Sequence, residues 1–445
     1  MSLAVWRLRE LLVCLALIGL CVTQEPGLIV PETKLDMALD PGGFLARAAH
    51  LWTGDWQFGT LQNQAVGYFF PMGPFFLLGE AVGLPAWLVQ RLWMATLLCV
   101  ALTGVVRLAR ALDLGGPGSR LVAGAIFALS PRALSLVGTV SLELLPYCVA
   151  PWVLLPLVKG AAGGSLRRAA ALSGLAVVCM GGANGAAVAC AVLPAFLYVV
   201  TRAPGRRRIR LLAWWTVAMV AATFWWLVPL LLLQRYGFPF LPYTESAAVT
   251  TSVTSLPSAV RGSTHWVGYL AVDGVPWWRA GWALVTTPWM IVLTALIACV
   301  GLAGLARRDL PERRFLLVGA LVGLLALTAG NLSTGGAAFA SPMRELLDGP
   351  LAALRNLHKF DVVIRLPLAL AAAHMLDTVG RIALIRRFTR PTNMAPRRVE
   401  LGATAAAQTA TWTSRNGPIP YAASLWPRGR ELIPARTTSA STEPL

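Results

Sequence analysis

Asp36 and Asp40 stand four residues apart in VPETKLDMALDPGGFLARAAHLW, residues 30–52. On a helix they share one face. Such a pair can act as a general base with a helper, or can hold a divalent cation. The plainer reading is two solvated acids, and the spacing alone does not decide. Lys34 precedes Asp36 by two residues, and the chain's other lysines are Lys159 and Lys359. Lys359 lies in HKFD with His358 and Asp361, at the mouth of the last apolar run. Arg132 follows Ser130 and Pro131 late in an earlier run. An ionisable group at membrane depth is a site candidate, although an arginine there can also snorkel to the interface. His265 in RGSTHWVGY and Glu245 in PYTESA are the remaining candidates, as a site histidine and a second acid. Lone histidines are more often structural. Trp266 and Tyr269 can stack on a ring-shaped ligand, and Gln62, Asn63 and Gln64 can hydrogen-bond its polar groups. Membrane anchoring and loop structure compete as explanations for these residues.

Positioning such groups falls to elements of one kind. The 445 residues are 56% hydrophobic and 13% charged, against about 25% charged in a soluble domain. The net charge of +18 could suit nucleic acid, but the arginines fall between apolar runs, so membrane topology accounts for them and no nucleic-acid partner is expected. Many of the 17 tryptophans, including Trp214, Trp215, Trp225, Trp226, Trp277 and Trp278, sit near run ends as interfacial anchors do. The seven cysteines lie inside apolar runs with no CxxC or Cys/His spacing, so neither zinc nor a disulfide framework is indicated.

A membrane span needs about 20 mostly apolar residues. Runs near 8–24, 87–107, 120–138, 145–159, 169–182, 185–201, 211–232, 285–305, 315–330 and 362–384 give ten spans. The first is read as a retained helix rather than a cleaved signal, since LIGLC lacks a proper lipobox. Connectors 107–120, 159–168, 202–210, 307–314 and 381–398 carry most of the arginine, which places them and both termini in the cytoplasm. The segment 67–85 is also apolar. Counting it as a span would move Arg202, Arg206, Arg207, Arg208 and Arg210 outside, and its Pro71, Gly73, Pro74 and Glu80 suit an interfacial or re-entrant element. Segments 25–86, 233–284 and 331–361 then lie outside. From 388 to 445 the chain is polar and aperiodic and reads as a disordered tail after a core of 1–387.

This plan, an all-α polytopic protein with acids and interfacial helices after its first span, resembles the GT-C class of glycosyltransferases. TKLDMALDPGGFLARAAHLW, FGTLQNQAVGYFFPMGPFFLLG, ALSPRALSLVGTVSLELLPYCVAPWVLLPLV and RNLHKFDVVIRLPLAL resemble the membrane core of the actinobacterial arabinofuranosyltransferase D family, over residues 5 to 384. The resemblance implies transfer of arabinofuranose from decaprenyl-phosphate-arabinose to cell-wall arabinan at the plasma membrane, with the active site facing the periplasm. It implies Asp36 as the acid/base and leaves Asp40 as helper. Lys34, Arg132, His358 and Lys359 are the cations available for the donor phosphate, and Glu245, His265 and Asp361 remain for the acceptor or as a second acid. No cofactor is expected beyond a divalent cation at Asp36 and Asp40. Relatives of that family continue far past this length, so a truncated, frameshifted product is expected. The alternatives are a lipid-linked-sugar transporter, which should carry charges or broken helices at the bilayer midplane, and an inert fragment.

Overall fold

The computed structural model describes residues 3–32, 34–54, 58–62, 64–238 and 241–389. Asn63 and nearly all of the polar tail lie outside the described residues. Apolar runs become helices here because a segment in lipid must satisfy its own backbone N–H and C=O groups. Helix α1 (Leu3–Val22) leads to α2 (Leu35–Leu39), α3 (Pro41–Ala48), the two-residue strands β1 (Trp52–Thr53) and β2 (Thr60–Leu61), a 3-10 turn at Ala65–Tyr68, and α4 (Met72–Ala81). Strands β1 and β2 pair antiparallel, Trp52 opposite Leu61. Then come α5 (Ala86–Ala111), α6 (Pro117–Ala128), α7 (Pro131–Leu136), α8 (Ser141–Ala161), α9 (Leu166–Val178), α10 (Gly185–Thr201) and α11 (Arg206–Tyr236). A second irregular segment holds α12 (Ala247–Ser252), α13 (Leu256–Arg261), a 3-10 turn at Trp266–Tyr269, the hairpin β3 (Ala271–Val272) and β4 (Val275–Pro276), and α14 (Arg279–Thr286). Helices α15 (Pro288–Ala306), α16 (Arg313–Thr328), α17 (Leu332–Gly335) and α18 (Ala337–Asp348) follow. A 3-10 turn at Leu357–Phe360 then opens the last helix, α19 (Asp361–Thr389).

Among the described residues, five stretches are long and apolar enough to cross a membrane: Ala86–Ala111, Ser141–Ala161, Arg206–Tyr236, Pro288–Ala306 and Leu357–Ala383. Two of the expected spans are not continuous helices. The run at 120–138 breaks between α6 and α7, because Pro131 lacks an N–H and pushes Ser130 into an extended conformation, φ −61 and ψ 155. The run at 169–182 stops at Val178, ahead of Gly181 and Gly182. The 67–85 segment yields only the ten-residue α4, about 15 Å long and half the hydrocarbon thickness. Two tryptophans expected at the interface are core residues instead. Trp215 and Trp226 are buried; Trp215 donates to Ser173 Oγ at 2.9 Å, while Trp226 Nε1 has no hydrogen-bond partner among the described residues.

Helix α5 packs against α1, α6 and α8, while α19 packs against α6, α15 and α16. Without a hydrophobic drive in lipid, close approach depends on small residues. Gly304 of α15 lies so near α19 that a Cβ there would stand 2.2 Å from Ala371 O. The loop after α9 crosses the Ala65–Tyr68 turn equally closely. Gly182 N donates to Gly67 O at 3.0 Å, and a Cβ on Gly67 would stand 2.2 Å from Ala183 N. Gly67→Ala should therefore force the two backbones apart and cost about 1–3 kcal/mol, the usual range for overpacking. Gly19→Ala, where a Cβ meets nothing within 4 Å, should leave stability unchanged or slightly raised. Thermal unfolding in detergent compares the two, and equal midpoints would refute the close crossing.

Candidate functional site

Ser130 caps α7, its Oγ accepting from Ala133 N at 3.3 Å, and the chain turns at 137–140 before α8. That turn sets Arg132, in the first turn of α7, against Glu143, in the first turn of α8. The guanidinium Nη2 donates to Glu143 Oε1 at 2.5 Å. His358 Nε2 lies 3.0 Å from the same oxygen. Asn184 N-caps α10 through Oδ1, which accepts from Ala187 N at 3.1 Å. Its Nδ2 is thereby left to donate to Glu143 Oε2 at 3.4 Å. Lys359 Nζ stands 4.0 Å from that oxygen. His265 meets His358 edge to face, ring centroids 4.2 Å apart, and stacks on Trp278 at 4.8 Å.

The cluster is nearly dry, with Arg132 3%, His358 2% and His265 7% exposed. Burial, with His358 and Arg132 close by, holds the His265 imidazole well below its ordinary range, so it is neutral at pH 7. Two fixed cations thus face one carboxylate. Arg132 Nη1, His265 Nδ1 and His358 Nδ1 are buried without a hydrogen-bond partner among the described residues. Buried polar atoms are rarely left in that condition. Glu143, His265 and His358 also bring one potential metal-ligand atom each within 4.8 Å of one another. A divalent cation fits poorly, because Glu143 is already engaged by Arg132 and Lys359, whose charges repel it. An anion that also carries a hydroxyl fits better, meeting a guanidinium N–H and two imidazole nitrogens.

The other expected site residues are divided among separate places. Asp36 and Asp40 both approach Arg47, at 3.3 and 3.8 Å, so the pair expected to hold a cation faces one of the chain's own. Asp40 also caps α3, Oδ1 accepting from Gly43 N at 2.8 Å. Lys34 shares a small recess with Glu32, Tyr68 and Gln90. Glu245 accepts from Asn356 Nδ2 at 2.6 Å, and Asn356 Oδ1 accepts from Trp266 Nε1 at 2.9 Å. That chain joins two irregular segments just before His358. Asp361 is fully buried and paired with Arg365 at 2.8 Å, and Arg365 also donates to the carbonyls of Val260 and Ala259 at the end of α13. Tyr269 donates its hydroxyl to Ser263 O at 2.8 Å, and Gln62 Nε2 donates to the carbonyls of Arg47 and His50.

The family described as Alpha-(1->3)-arabinofuranosyltransferase, N-terminal GT-C domain, matches residues 16–424. The chain belongs to this family. Membership spans the whole Glu143 cluster and extends beyond residue 387, where the sequence turns polar. An Alpha-(1->3)-arabinofuranosyltransferase of Mycobacterium tuberculosis is 42% identical over 413 residues, 90% of this chain and 29% of the relative. The protein of the same name from Mycolicibacterium smegmatis is 42% identical over 417 residues, 92% of this chain and again 29% of the relative. A cryo-EM structure of arabinofuranosyltransferase AftD from mycobacteria superposes with TM-score 0.67 at 38% identity, covering 84% of this chain and 24% of that one. The chain therefore spans less than a third of the length of the family members it matches.

Glu143, at the centre of this cluster, is absent from the candidates the sequence offered, although a signal was there. It opens an apolar run, and an acid there needs a partner. Asn184 carried no such signal. Glu143→Gln should destabilise the protein by about 3–5 kcal/mol, since it breaks a buried ion pair and leaves Arg132 facing Lys359 without a counter-charge. Thermal unfolding measures this, and an unchanged midpoint would mean that water already screens both cations.

Proposed function

We propose that the chain is a membrane-embedded transferase core that moves arabinofuranose from decaprenyl-phosphate-arabinose to an arabinan acceptor. The reaction takes place on the periplasmic face of the plasma membrane. The observation that supports this best is the excess of buried cation around Glu143, at the end of the bundle where α7, α8, α10 and the entrance to α19 meet. A phosphate leaving group needs positive charge and N–H donors rather than a proton. Arg132 and Lys359 supply the charge, and His358 and His265 receive a hydroxyl or donate from a ring nitrogen. Asp36, oriented by Arg47, takes the proton of the acceptor hydroxyl while that oxygen attacks the anomeric carbon. The bond from the anomeric carbon to the phosphate oxygen breaks with its electron pair going to the phosphate. Asp40 supports this by fixing the start of α3. A divalent cation would sit at Asp36 and Asp40, where two carboxylates share the one cation Arg47, rather than at Glu143, which two cations already face.

In this reading the chain crosses the membrane ten times with both ends inside, α6–α7 and α9 being broken spans, and the sequence from 388 to 445 is a polar tail. A cysteine placed at Thr60 should react with an impermeant reagent from outside, and one placed at Gly205 should not. The reverse pattern would overturn the orientation. Transfer of labelled arabinose from decaprenyl-phosphate-arabinose to an arabinan acceptor tests the chemistry, in this chain and in a full-length relative. Asp36→Asn should lower the rate by about a hundred-fold to ten-thousand-fold, and Asp40→Asn by less. Arg132→Gln should weaken donor binding by roughly ten-fold or more, the loss of a charged hydrogen bond. Movement of the lipid-linked sugar across the membrane without transfer would support a transporter instead.

A further inference from the structure

Residues 24–32 are tied to the start of α5 by side chains that bond backbone. Arg91 Nε donates to Gln24 O at 3.2 Å and its Nη2 to Leu28 O at 3.1 Å. Gln90 holds Val30 from both sides, Nε2 donating to Val30 O at 2.7 Å and Oε1 accepting from Val30 N at 2.9 Å. Glu32 then leaves this segment with φ +44, a left-handed conformation that a glutamate keeps only when its surroundings impose it. Its carboxylate reaches the first residue of α8. Ser141 N donates to Oε2 at 3.0 Å, and Ser141 Oγ lies 2.9 and 3.0 Å from the two oxygens. Trp93 Nε1 of α5 donates to the same Oγ at 2.9 Å, which leaves the Ser141 proton for Glu32. The N-cap residue of α8, Val140, supplies no side-chain cap. An acid far away in sequence satisfies the free N–H instead, at the helix end that favours negative charge.

We infer that Glu32 is a positioning residue, which caps α8 from outside and thereby fixes the segment bearing Lys34 and Asp36 against the helix that carries Glu143. Its meaning for catalysis rests on the transferase reading above, while the clamp can be read without any activity. Loss of the cap would let the first turn of α8 fray where Glu143 accepts from Arg132. It would also release the entry to α2.

The clamp depends on pH. Burial pushes the Glu32 carboxyl up to about 7, and the hydrogen bonds from Ser141 and Gln90 and the charge of Arg91 offset only part of that rise. Arg91 from α5, Lys34 and Tyr68 across the recess are the other titratable or charged groups facing it. A carboxyl raised in the fold above its ordinary 4.5 contributes stability that is full below that value and is lost as pH rises through about 7.

The test uses the 445-residue chain in detergent. The thermal midpoint should fall by about 2–5 °C between pH 5.5 and pH 8.5 through this group, and Glu32→Gln should remove that part of the slope. An identical slope in Glu32→Gln would overturn the assignment. Ser141→Ala removes a donor to the carboxylate, so its inflection should move to higher pH; an unmoved inflection would count against the clamp. Hydrogen exchange supplies a readout of position. Glu32→Ala should speed exchange in both 26–40 and 141–147, with Glu32→Gln restoring most of the protection. Faster exchange confined to 26–40 would leave Glu32 as a local loop residue and reject its hold on α8. Failure of arabinosyl transfer alone would bear on the proposed function and not on this clamp.

Discussion

The architecture at one end of the bundle follows from a single requirement: Glu143 is largely withdrawn from water and must be compensated. A buried carboxylate without partners is costly, and so is a buried arginine or lysine. The chain meets both costs together by bringing Arg132, Asn184, His358 and Lys359 to the same two oxygens. Each partner arrives because a helix is interrupted. The break at Pro131 delivers Arg132, the gap between α9 and α10 delivers Asn184, and the 3-10 turn ahead of α19 delivers His358 and Lys359. Uninterrupted spans would have carried these side chains past one another. The polar end of the bundle and its broken helices are one feature.

Around that centre the irregular segments are fastened by arginines bonding carbonyls. Arg365 joins α19 to the end of α13. Arg355 reaches Leu241 O and Thr244 while pairing with Asp348. Arg344 donates to Thr251 Oγ1 and Gly330 O. An arginine fork can satisfy several acceptors that no regular ladder reaches, which suits backbone folded close to a membrane surface. Glu245, Asn356 and Trp266 extend the same network to the residue just before Leu357 and His358. These outer residues act on the site through its supports, and the acids among them are engaged in holding structure.

Much of the fold was legible because lipid enforces a simple code. Each long apolar run is helical or nearly so, and the GT-C family was readable from motifs that include KLDMALD and NLHKFD. The break at Pro131 could also have been expected, since proline has a known effect on the residue before it. Trp215 and Trp226 were misplaced because an indole near a run end looks the same whether it faces headgroups or a neighbouring helix. Arg132 posed a similar choice, and in the fold its guanidinium turns inward to Glu143 at hydrogen-bond distance.

The sequence by itself determined the helical class, the membrane character, the arginine asymmetry between the two sets of loops, and the family. These depend on composition and local periodicity, which each segment carries alone. Tertiary structure decided which charged residues meet. Arg132, Glu143, Asn184, His265 and Lys359 are scattered over more than two hundred residues, and no spacing rule links them. Only packing brings them together, as it sends Asp40 to a helix cap and Asp361 to Arg365. Whether a buried charge serves a site or a support depends on which partner reaches it first in space, and contact across helices leaves no mark on the order of the residues.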